Sequence, residues 1–238
     1  MILIKLVSFD VWDTLLKLDV MLDAIAKGIS RVASLNEEEV SVKIYGVRER
    51  IREIRRKGEL SISEILSLSR ILIAEELDVD EEIVRRGIAR AILDIDYDDL
   101  VNEYARDILG TLKKKGLKII VIGNVMIWES PYTRLLLEAT GLAEYIDKQY
   151  YADEMGVYKP MKEAFHNPLK DFEIRPDEAI HIGDSNIEDF EGALESGLYA
   201  IKIDPEANEV SRPRERGYVV PSLKHAVRII MDLLEGSR

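Results

Sequence analysis

Apolar and polar positions alternate in two different ways along the chain, and each pattern predicts a different set of elements. Residues 2–9 are mostly apolar, are rich in β-branched side chains and end at Asp10, which predicts a buried strand. Between residues 20 and 94, apolar positions recur every three or four residues. This spacing predicts four amphipathic helices with short links, which is typical of a small bundle: near 20–35, near 37–57, from Ser61, and near 80–94.

Two of these helices have recognisable starts. Asp19 is the predicted N-cap of the first helix, and Ser61 with Glu64 forms a capping-box pattern at the third. The second helix carries one apolar stripe at alternating spacings of four and three, formed by Val40, Ile44, Val47, Ile51 and Ile54.

After about residue 96 the pattern changes to alternating helices and strands. We predict helices near 98–115, 130–140, 160–170, 187–196 and 221–235, and strands at 118–122, near 148–151, and at 179–182 and 198–203. Such alternation predicts a parallel sheet with helices on both faces. The predicted fold class is therefore α/β: a doubly wound, Rossmannoid parallel sheet with an inserted α-helical bundle. The core domain is predicted at 1–16 and 96–238, and the helical domain at 17–95.

Composition restricts the partners and the chemistry. The chain has 238 residues, a formal charge of −12 and no cysteine, so thiolate chemistry is excluded and binding to nucleic acid or a membrane surface is not expected. The apolar start is interrupted by Lys5 and lacks a small-residue cleavage site, which predicts a cytoplasmic protein without a signal peptide. Charged residues reach 33%, a usage typical of thermostable proteins.

Polar residues follow several of the predicted strands. Because ligands bind outside the carboxyl ends of parallel strands, these residues are expected to meet in one crevice. Singly, each is more typical of a turn, a helix cap or a solvated charge. Together they form a candidate site: Asp10 and Asp13, Gly123 and Asn124, Lys159 before a helix, and Asp184 and Asp189.

These segments resemble the motifs of the haloacid dehalogenase-like (HAD) hydrolase superfamily. The matching stretches are FDVWDTL at 9–15, Gly123-Asn124 after a strand, YKP at 158–160 and IGDSNIEDFEGA at 182–193. The resemblance covers essentially the whole chain. It implies a HAD-like core and places residues 17–95 as the family's helical cap between the first and second motifs.

The resemblance also implies roles for single residues. Asp10 would be the nucleophile and Lys159 the residue that holds it ionised. Mg²⁺ would be held by Asp10, the backbone carbonyl of Trp12 and Asp184, with Asp189 as a ligand through water or an anchor. Gly123, Asn124 and Thr14 would bind the substrate.

Two positions depart from the family pattern. Most phosphatases of the family have an acid–base aspartate where this chain has Trp12, whose indole cannot transfer protons. Three explanations stay open: Asp13 takes over the role, the substrate has a good leaving group, or the enzyme is not a phosphatase. Gly123 stands where serine or threonine is usual, so only its backbone N–H could bind phosphate.

We therefore predict a Mg²⁺-dependent phosphohydrolase that acts on a small phosphate ester or acyl phosphate through an aspartyl-phosphate. The alternatives are a 2-haloacid dehalogenase-like or phosphonatase-like hydrolase, and a non-catalytic binding or regulatory module. Asp184 and Asp189 favour the metal-dependent enzyme, because an acidic pair beside the nucleophile would repel a carboxylate substrate. The sequence does not specify the substrate or the oligomeric state.

Overall fold

The computed structural model describes residues 4–235, and its centre is a mostly parallel sheet. The strand order in these residues is β3-β2-β1-β4-β5-β7-β6, and β6 alone runs antiparallel to its neighbour, β7. The predicted doubly wound parallel sheet is confirmed. The strands are β1 (Leu6–Phe9), β2 (Lys118–Gly123), β3 (Lys148–Tyr151), β4 (Ala179–Gly183), β5 (Tyr199–Ile203), β6 (Ser211–Arg214) and β7 (Gly217–Val220).

The direction of strand succession reverses between β1 and β4. From β1 the chain continues outward to β2 and β3, then returns to place β4 on the other side of β1. In register, Phe9 pairs with Ile182, and the N–H of Asp10 donates to the carbonyl of Ile182 at 2.8 Å. The residues that follow β1 and β4 therefore emerge side by side at the switch point, where such sheets bind ligands.

Some helices belong to the same compact unit as the sheet, and the others form a separate helical unit. Two short 3₁₀ turns lie at Ala143–Tyr145 and Pro176–Glu178, and a π-helical turn at Asn186–Glu191. The α-helices within residues 4–235 are α1 (Leu18–Ala33), α2 (Glu37–Lys57), α3 (Ile62–Leu77), α4 (Glu81–Asp94), α5 (Tyr97–Leu100), α6 (Ala105–Lys114), α7 (Ser130–Ala139), α8 (Ala152–Met155), α9 (Lys162–Asp171), α10 (Gly192–Glu195) and α11 (Leu223–Glu235).

The chain forms two compact units. The first comprises Met1–Leu16, Val101–Asn124 and Gly141–Arg238, and it contains the sheet. One face of its sheet is buried beneath α9 and α10, with Phe165 and Leu169 of α9 packed among strand residues. Every residue of β1 and β4 is buried, as expected for central parallel strands covered on both faces.

The second unit comprises Lys17–Leu100 and Val125–Thr140, so it is helical. It includes the predicted insertion at 17–95 and also α7, which the sequence analysis had placed in the core domain. Buried Arg70 of α3 explains part of this grouping, since it donates to Glu129, just before α7, at 2.6 Å and to Glu81 at 3.2 Å. The assignment of this unit as a cap domain stays a prediction.

Two helix starts can be compared with the predictions. The capping box at Ser61 is present, with both reciprocal hydrogen bonds to Glu64. The predicted N-cap at Asp19 is wrong, because α1 already begins at Leu18 and Asp19 lies in its first turn.

The secondary structure differs from the predictions in three places. The helix predicted near 98–115 is interrupted after Leu100, because Asn102 bonds to the loop after β1: its N–H donates to Leu15 O and its amide to Thr14 O, both at 2.9 Å. The helix predicted near 187–196 is a π turn followed by α10. The β6–β7 hairpin was not predicted, since β6 reads SRPR and is exposed throughout.

No helix among residues 4–235 combines the length and the apolar character that crossing a membrane requires. The first strand was predicted from residue 2, and its first two residues lie outside the described residues.

The second unit depends on a close approach of α1 and α4 at two glycines. A methyl group on Gly28 would lie 2.2 Å from the carbonyl oxygen of Gly87, which is backbone and cannot rotate away. We expect Gly28→Ala to lower the free energy of unfolding by about 1–3 kcal/mol through overpacking. Gly46→Ala is the matched control, because nothing lies within 4 Å of its added methyl; it should raise that energy by roughly 0.5–1 kcal/mol. Urea denaturation measures both, and equal changes would contradict the packing argument.

Candidate active site

Asp10 follows β1 and begins a tight turn. The carbonyl of Val11 accepts hydrogen bonds from the N–H groups of Leu15 and Leu16 at 2.8 and 2.9 Å, which folds the chain back at once. The turn requires a left-handed backbone at Asp13, whose φ is 58°, a conformation that aspartate tolerates better than most residues. Asp13 is exposed as a result, and Trp12 is half-buried.

Thr14 lies on the inner side of the same turn. Its side chain is fully buried, and its hydroxyl has no hydrogen-bond partner in the structure. Its carbonyl accepts from the Asn102 amide. The role of Thr14 in substrate binding stays a prediction.

Lys159 occupies the centre of the site. Only 2% of its side chain is exposed, and its Nζ donates to Asp10 Oδ1 at 2.7 Å and to Asp189 Oδ1 at 2.5 Å. Burial opposes the charge on the ammonium, but the two carboxylates outweigh burial and raise the pKa of Lys159 above its ordinary value. The sequence prediction that Lys159 and Asp10 meet is thus realised as a direct ion pair.

Three carboxylates cluster around this ammonium. Asp10, Asp184 and Asp189 each offer one oxygen, and these oxygens all lie within 4.8 Å of one another. Burial raises the pKa of Asp10 to about 7 and, with the charge of Asp189, that of Asp184 to about 8. Burial acts in the same direction on Asp189, but Lys159 and His181 outweigh it and hold the pKa of Asp189 well below its usual range. Too little positive charge is present to keep all three ionised, so the cluster suits a divalent cation.

A π-helical turn after β4 supplies Asp189. The N–H of Phe190 donates to the carbonyl of Ser185 at 3.1 Å, which is the i→i+5 bond of a π turn. The Ser185 N–H also donates to Asp189 Oδ2 at 2.9 Å. Three consecutive residues of this turn, Glu188, Asp189 and Phe190, are buried.

His181 was missed by the sequence analysis, although it supports Asp189 from inside β4. Its Nε2 lies 3.1 Å from Asp189 Oδ1, and its Nδ1 lies 2.8 Å from the hydroxyl of Ser8. Burial lowers the pKa of His181 to about 4. The ring is therefore neutral near pH 7, with Nε2–H donating to Asp189 and the Ser8 hydroxyl donating to Nδ1. A signal existed: polar residues within two apolar strands need a partner, and Ser8 pairs with His181 in register.

Asn124 bonds to the main chain of Lys159. Its Oδ1 accepts from the Lys159 N–H at 2.9 Å, and its Nδ2 donates to the Lys159 carbonyl at 3.0 Å. Nδ2 also lies 3.4 Å from Glu188 Oε2. The Asn124 side chain thus lies at the predicted site, but its hydrogen bonds are made to Lys159 and Glu188.

The ring of Tyr151 explains why Gly123 has no side chain. A Cβ on Gly123 would lie 2.8 Å from both Cδ1 and Cε1 of that ring, closer than such contacts occur. Tyr151 ends β3 next to Gly123, is 1% exposed, and its hydroxyl donates to Gln149 Oε1 at 2.8 Å. An aromatic ring therefore fills the space that a serine or threonine side chain would need.

A carboxylate paired with a buried lysine, beside an acidic cluster at the switch point of a doubly wound sheet, is typical of a Rossmann-like hydrolase. The chain belongs to the haloacid dehalogenase-like hydrolase family, whose model matches residues 4–197.

Sequence relatives include proteins named as phosphatases. The chain is 33% identical over 146 residues to haloacid dehalogenase-like hydrolase domain-containing protein 3 of Bos taurus, covering 58% of this chain and 54% of that protein. It is 26% identical over 132 residues to ribulose-1,5-bisphosphate 5-phosphatase of Halopiger xanaduensis, covering 55% and 54%. It is 30% identical over 104 residues to glyceraldehyde 3-phosphate phosphatase of Methanothermobacter thermautotrophicus, covering 42% and 43%. The chain spans about half the length of the curated relatives it matches.

Solved structures confirm the fold. A HAD-hydrolase of Bacillus subtilis, YfnB, solved bound to magnesium, has a TM-score of 0.76 at 17% identity and covers 96% of this chain and 99% of that one. L-2-haloacid dehalogenase from Xanthobacter autotrophicus has a TM-score of 0.70 at 17% identity, with the same coverage. At these identities the likeness concerns the fold alone.

The packing of Gly123 against Tyr151 gives a stability prediction. Gly123→Ser should lower the free energy of unfolding by about 1–3 kcal/mol, because the new Cβ overlaps a buried ring. In a Tyr151→Leu background the same serine should cost less, since the ring is gone. Gly110→Ser is the control, because its Cβ would meet the Tyr145 ring at an ordinary 3.6 Å. Urea denaturation of the four-variant cycle and the control checks this; additive losses would show that the ring is not the obstacle.

Proposed function

We propose that the protein is a Mg²⁺-dependent phosphohydrolase that acts on a small phosphorylated metabolite through an aspartyl-phosphate. The observation that supports this most is the buried Lys159 ammonium shared by Asp10 and Asp189, with Asp184 beside them. The similarity to a ribulose-1,5-bisphosphate 5-phosphatase and a glyceraldehyde 3-phosphate phosphatase supports a small phosphorylated substrate.

The residues present fit a hard divalent cation. The donor set is oxygen only, and burial outweighs the single Lys159 ammonium in raising the pKa values of Asp10 and Asp184, which favours an added cation. Asp10, Asp184 and the Trp12 carbonyl would hold Mg²⁺. Asp189 would act through water or as an anchor, since its oxygens already accept from Lys159, His181 and Ser185. When bound, the cation would neutralise charge on the substrate phosphoryl group and on Asp10.

The protein residues would then perform two displacements. Lys159 holds Oδ1 of Asp10, so the other oxygen would attack phosphorus; the bond from phosphorus to the leaving oxygen breaks and an acyl phosphate forms. Water would then cleave the acyl phosphate and release inorganic phosphate, which restores Asp10. Lys159 would stabilise negative charge on the phosphoryl oxygens in both steps, and the backbone near Gly123 would receive the group.

The leaving oxygen needs a proton unless it is already a good leaving group. Trp12 cannot supply one. Asp13 is exposed, and its charge contributes to the raised pKa of Asp184, which shows that it lies within electrostatic reach of the cluster. We therefore assign the acid–base role to Asp13 within this proposal.

A dehalogenase function is less well supported. A 2-halo acid carries a carboxylate, and the acidic cluster would repel it unless a cation were bound. Halide release from 2-halo acids without added Mg²⁺ would favour that alternative.

The first test concerns the nucleophile and the metal. We expect Asp10→Asn to abolish hydrolysis of an aryl phosphate, because the amide is not a nucleophile, and EDTA to abolish it in the wild type. A steady-state assay with and without Mg²⁺ measures both. Activity that persists without a divalent metal would rule out this mechanism.

Thermal unfolding provides the control for metal binding. The folded-state pKa values of Asp10 and Asp184 are raised from 3.8 to about 7 and about 8, so the stability that their protonation contributes is fully present below about 3.8, falls as pH rises and is lost above about 8. Mg²⁺ should therefore raise Tm more at about pH 8.5 than at about pH 6. A shift that is equal at both pH values would argue against binding at these carboxylates.

The second test separates proton donation by Asp13 from a good leaving group. With an aryl phosphate, Asp13→Asn should change kcat/KM little, because the phenolate leaves readily. With an alkyl phosphate the loss should be on the order of 10²–10⁴. Asp19→Asn, which removes an exposed charge from α1, is the control for a general charge effect. An equal loss on both substrates would contradict a role in leaving-group protonation.

A further inference from the structure

We infer that Asn124 is a positioning residue that holds the backbone of Lys159, and that its side chain does not contact the phosphoryl group. The inference rests on the proposed function. It revises the role that the motif comparison gave to Asn124, and it follows from where the hydrogen bonds of the amide go.

The donors of the amide are fully occupied. An asparagine side chain has two N–H donors and one carbonyl acceptor. Its Nδ2 lies 3.0 Å from the Lys159 carbonyl and 3.4 Å from Glu188 Oε2, which accounts for both donors. Its Oδ1 accepts the Lys159 N–H at 2.9 Å. No N–H donor of Asn124 is left for a phosphoryl oxygen. Its Oδ1 is an acceptor and cannot hydrogen-bond to a phosphoryl oxygen, which is also an acceptor.

The network also fixes which way the amide faces. With Nδ2 and Oδ1 exchanged, an oxygen would face the Lys159 carbonyl and the Glu188 carboxylate, and an NH₂ group would face the Lys159 N–H. Each of the three contacts would then be repulsive. The same argument shows why aspartate would not serve at this position: its second oxygen would lie against two acceptors.

Lys159 needs such support because it lies outside regular secondary structure. It stands in the connection between α8 and α9, while its Nζ must meet carboxylates that follow β1 and β4. By pairing with both the N–H and the C=O of one residue, Asn124 does what a neighbouring strand does in a ladder. The lysine is thus held at two ends: its backbone by Asn124, and its ammonium by Asp10 and Asp189.

Glu188 is the second part of this arrangement. It is buried in the same π turn as Asp189. One π turn therefore supports Lys159 twice, through Asp189 at the ammonium and through Glu188 and Asn124 at the backbone.

A double-mutant cycle with Lys159 separates positioning from direct contact. We expect Asn124→Ala to lower kcat for an aryl phosphate by about 10- to 10²-fold with little change in KM, as misplacement of a catalytic group does. In a Lys159→Met background the same change should cause no further loss, because no ammonium remains to be positioned. The same substitution at exposed Asn167 of α9 is the control and should leave activity unchanged. A loss that persists in the Lys159→Met background, or a rise in the inhibition constant of inorganic phosphate when Asn124→Ala is added to that background, would overturn the inference.

A rescue series tests the role of Glu188. Glu188→Gln keeps an oxygen that can accept from Asn124 Nδ2, so it should retain more of kcat than Glu188→Ala. Asn124→Asp should lose activity despite its similar size, because it places an oxygen where the donor was. Asn124→Asp with wild-type kcat would refute the hydrogen-bond pattern.

Amide hydrogen exchange tests the inference without any activity. The Lys159 N–H should exchange at least about tenfold faster in Asn124→Ala than in the wild type, because its acceptor is removed. Thermal unfolding of each variant confirms that the fold is intact. If the wild type hydrolyses no phosphate ester, the proposed function fails, and exchange alone then decides the inference: unchanged Lys159 protection in Asn124→Ala would overturn it.

Discussion

The rest of the site depends on one buried ammonium. An isolated charge as deeply buried as Lys159 would cost several kcal/mol, and only carboxylates held at hydrogen-bond distance offset that cost. Those carboxylates come from the ends of two different strands, so the ion pairs form only if β1 and β4 are neighbours in the observed register. The sheet order and the π turn that supplies Asp189 are therefore part of the chemistry, because another register would separate the Lys159 ammonium from these carboxylates.

Sequence patterns predicted much of the fold, because the central strands and the helices of the second unit are specified locally. Buried parallel strands are continuous apolar runs, and the buried stripe of α2 at Val40, Ile44, Val47 and Ile51 has the spacing of a helix face. The failures occur where distant segments decide the outcome. Asn102 ends a helical pattern by bonding to the loop after β1, and β6 is an exposed edge strand whose arginines and proline give no hydrophobic signal.

The sequence predicted some residues of the candidate site but not the residues that support them. Asp10, Lys159, Asp184 and Asp189 could be proposed because each stands at the carboxyl end of the sheet in a motif of matching form. The supporting residues could not, because their roles depend on pairings across the fold. The role of His181 depends on its hydrogen bond to Ser8, and a sequence does not show that the two residues are paired in register. The amide of Asn124 looks like a ligand group in sequence, but the structure gives its donors to Lys159 and Glu188.

The two departures from the family pattern raise the question of whether the site has decayed. At Gly123, where the family usually has serine or threonine, the Tyr151 ring occupies the space that the side chain would need. The absence of that side chain therefore leaves no gap in the packing. The carboxylates give a second argument. Burial raises the pKa of Asp10 to about 7 and of Asp184 to about 8, so ionising them at neutral pH costs folding free energy. A chain with no use for this cluster would gain stability by replacing Asp184 with an apolar residue, because burial and the charge of Asp189 raise its pKa to about 8. A cluster that lowers stability, with Lys159 held between two carboxylates, is the arrangement expected of a working site, in which stability is given up for function.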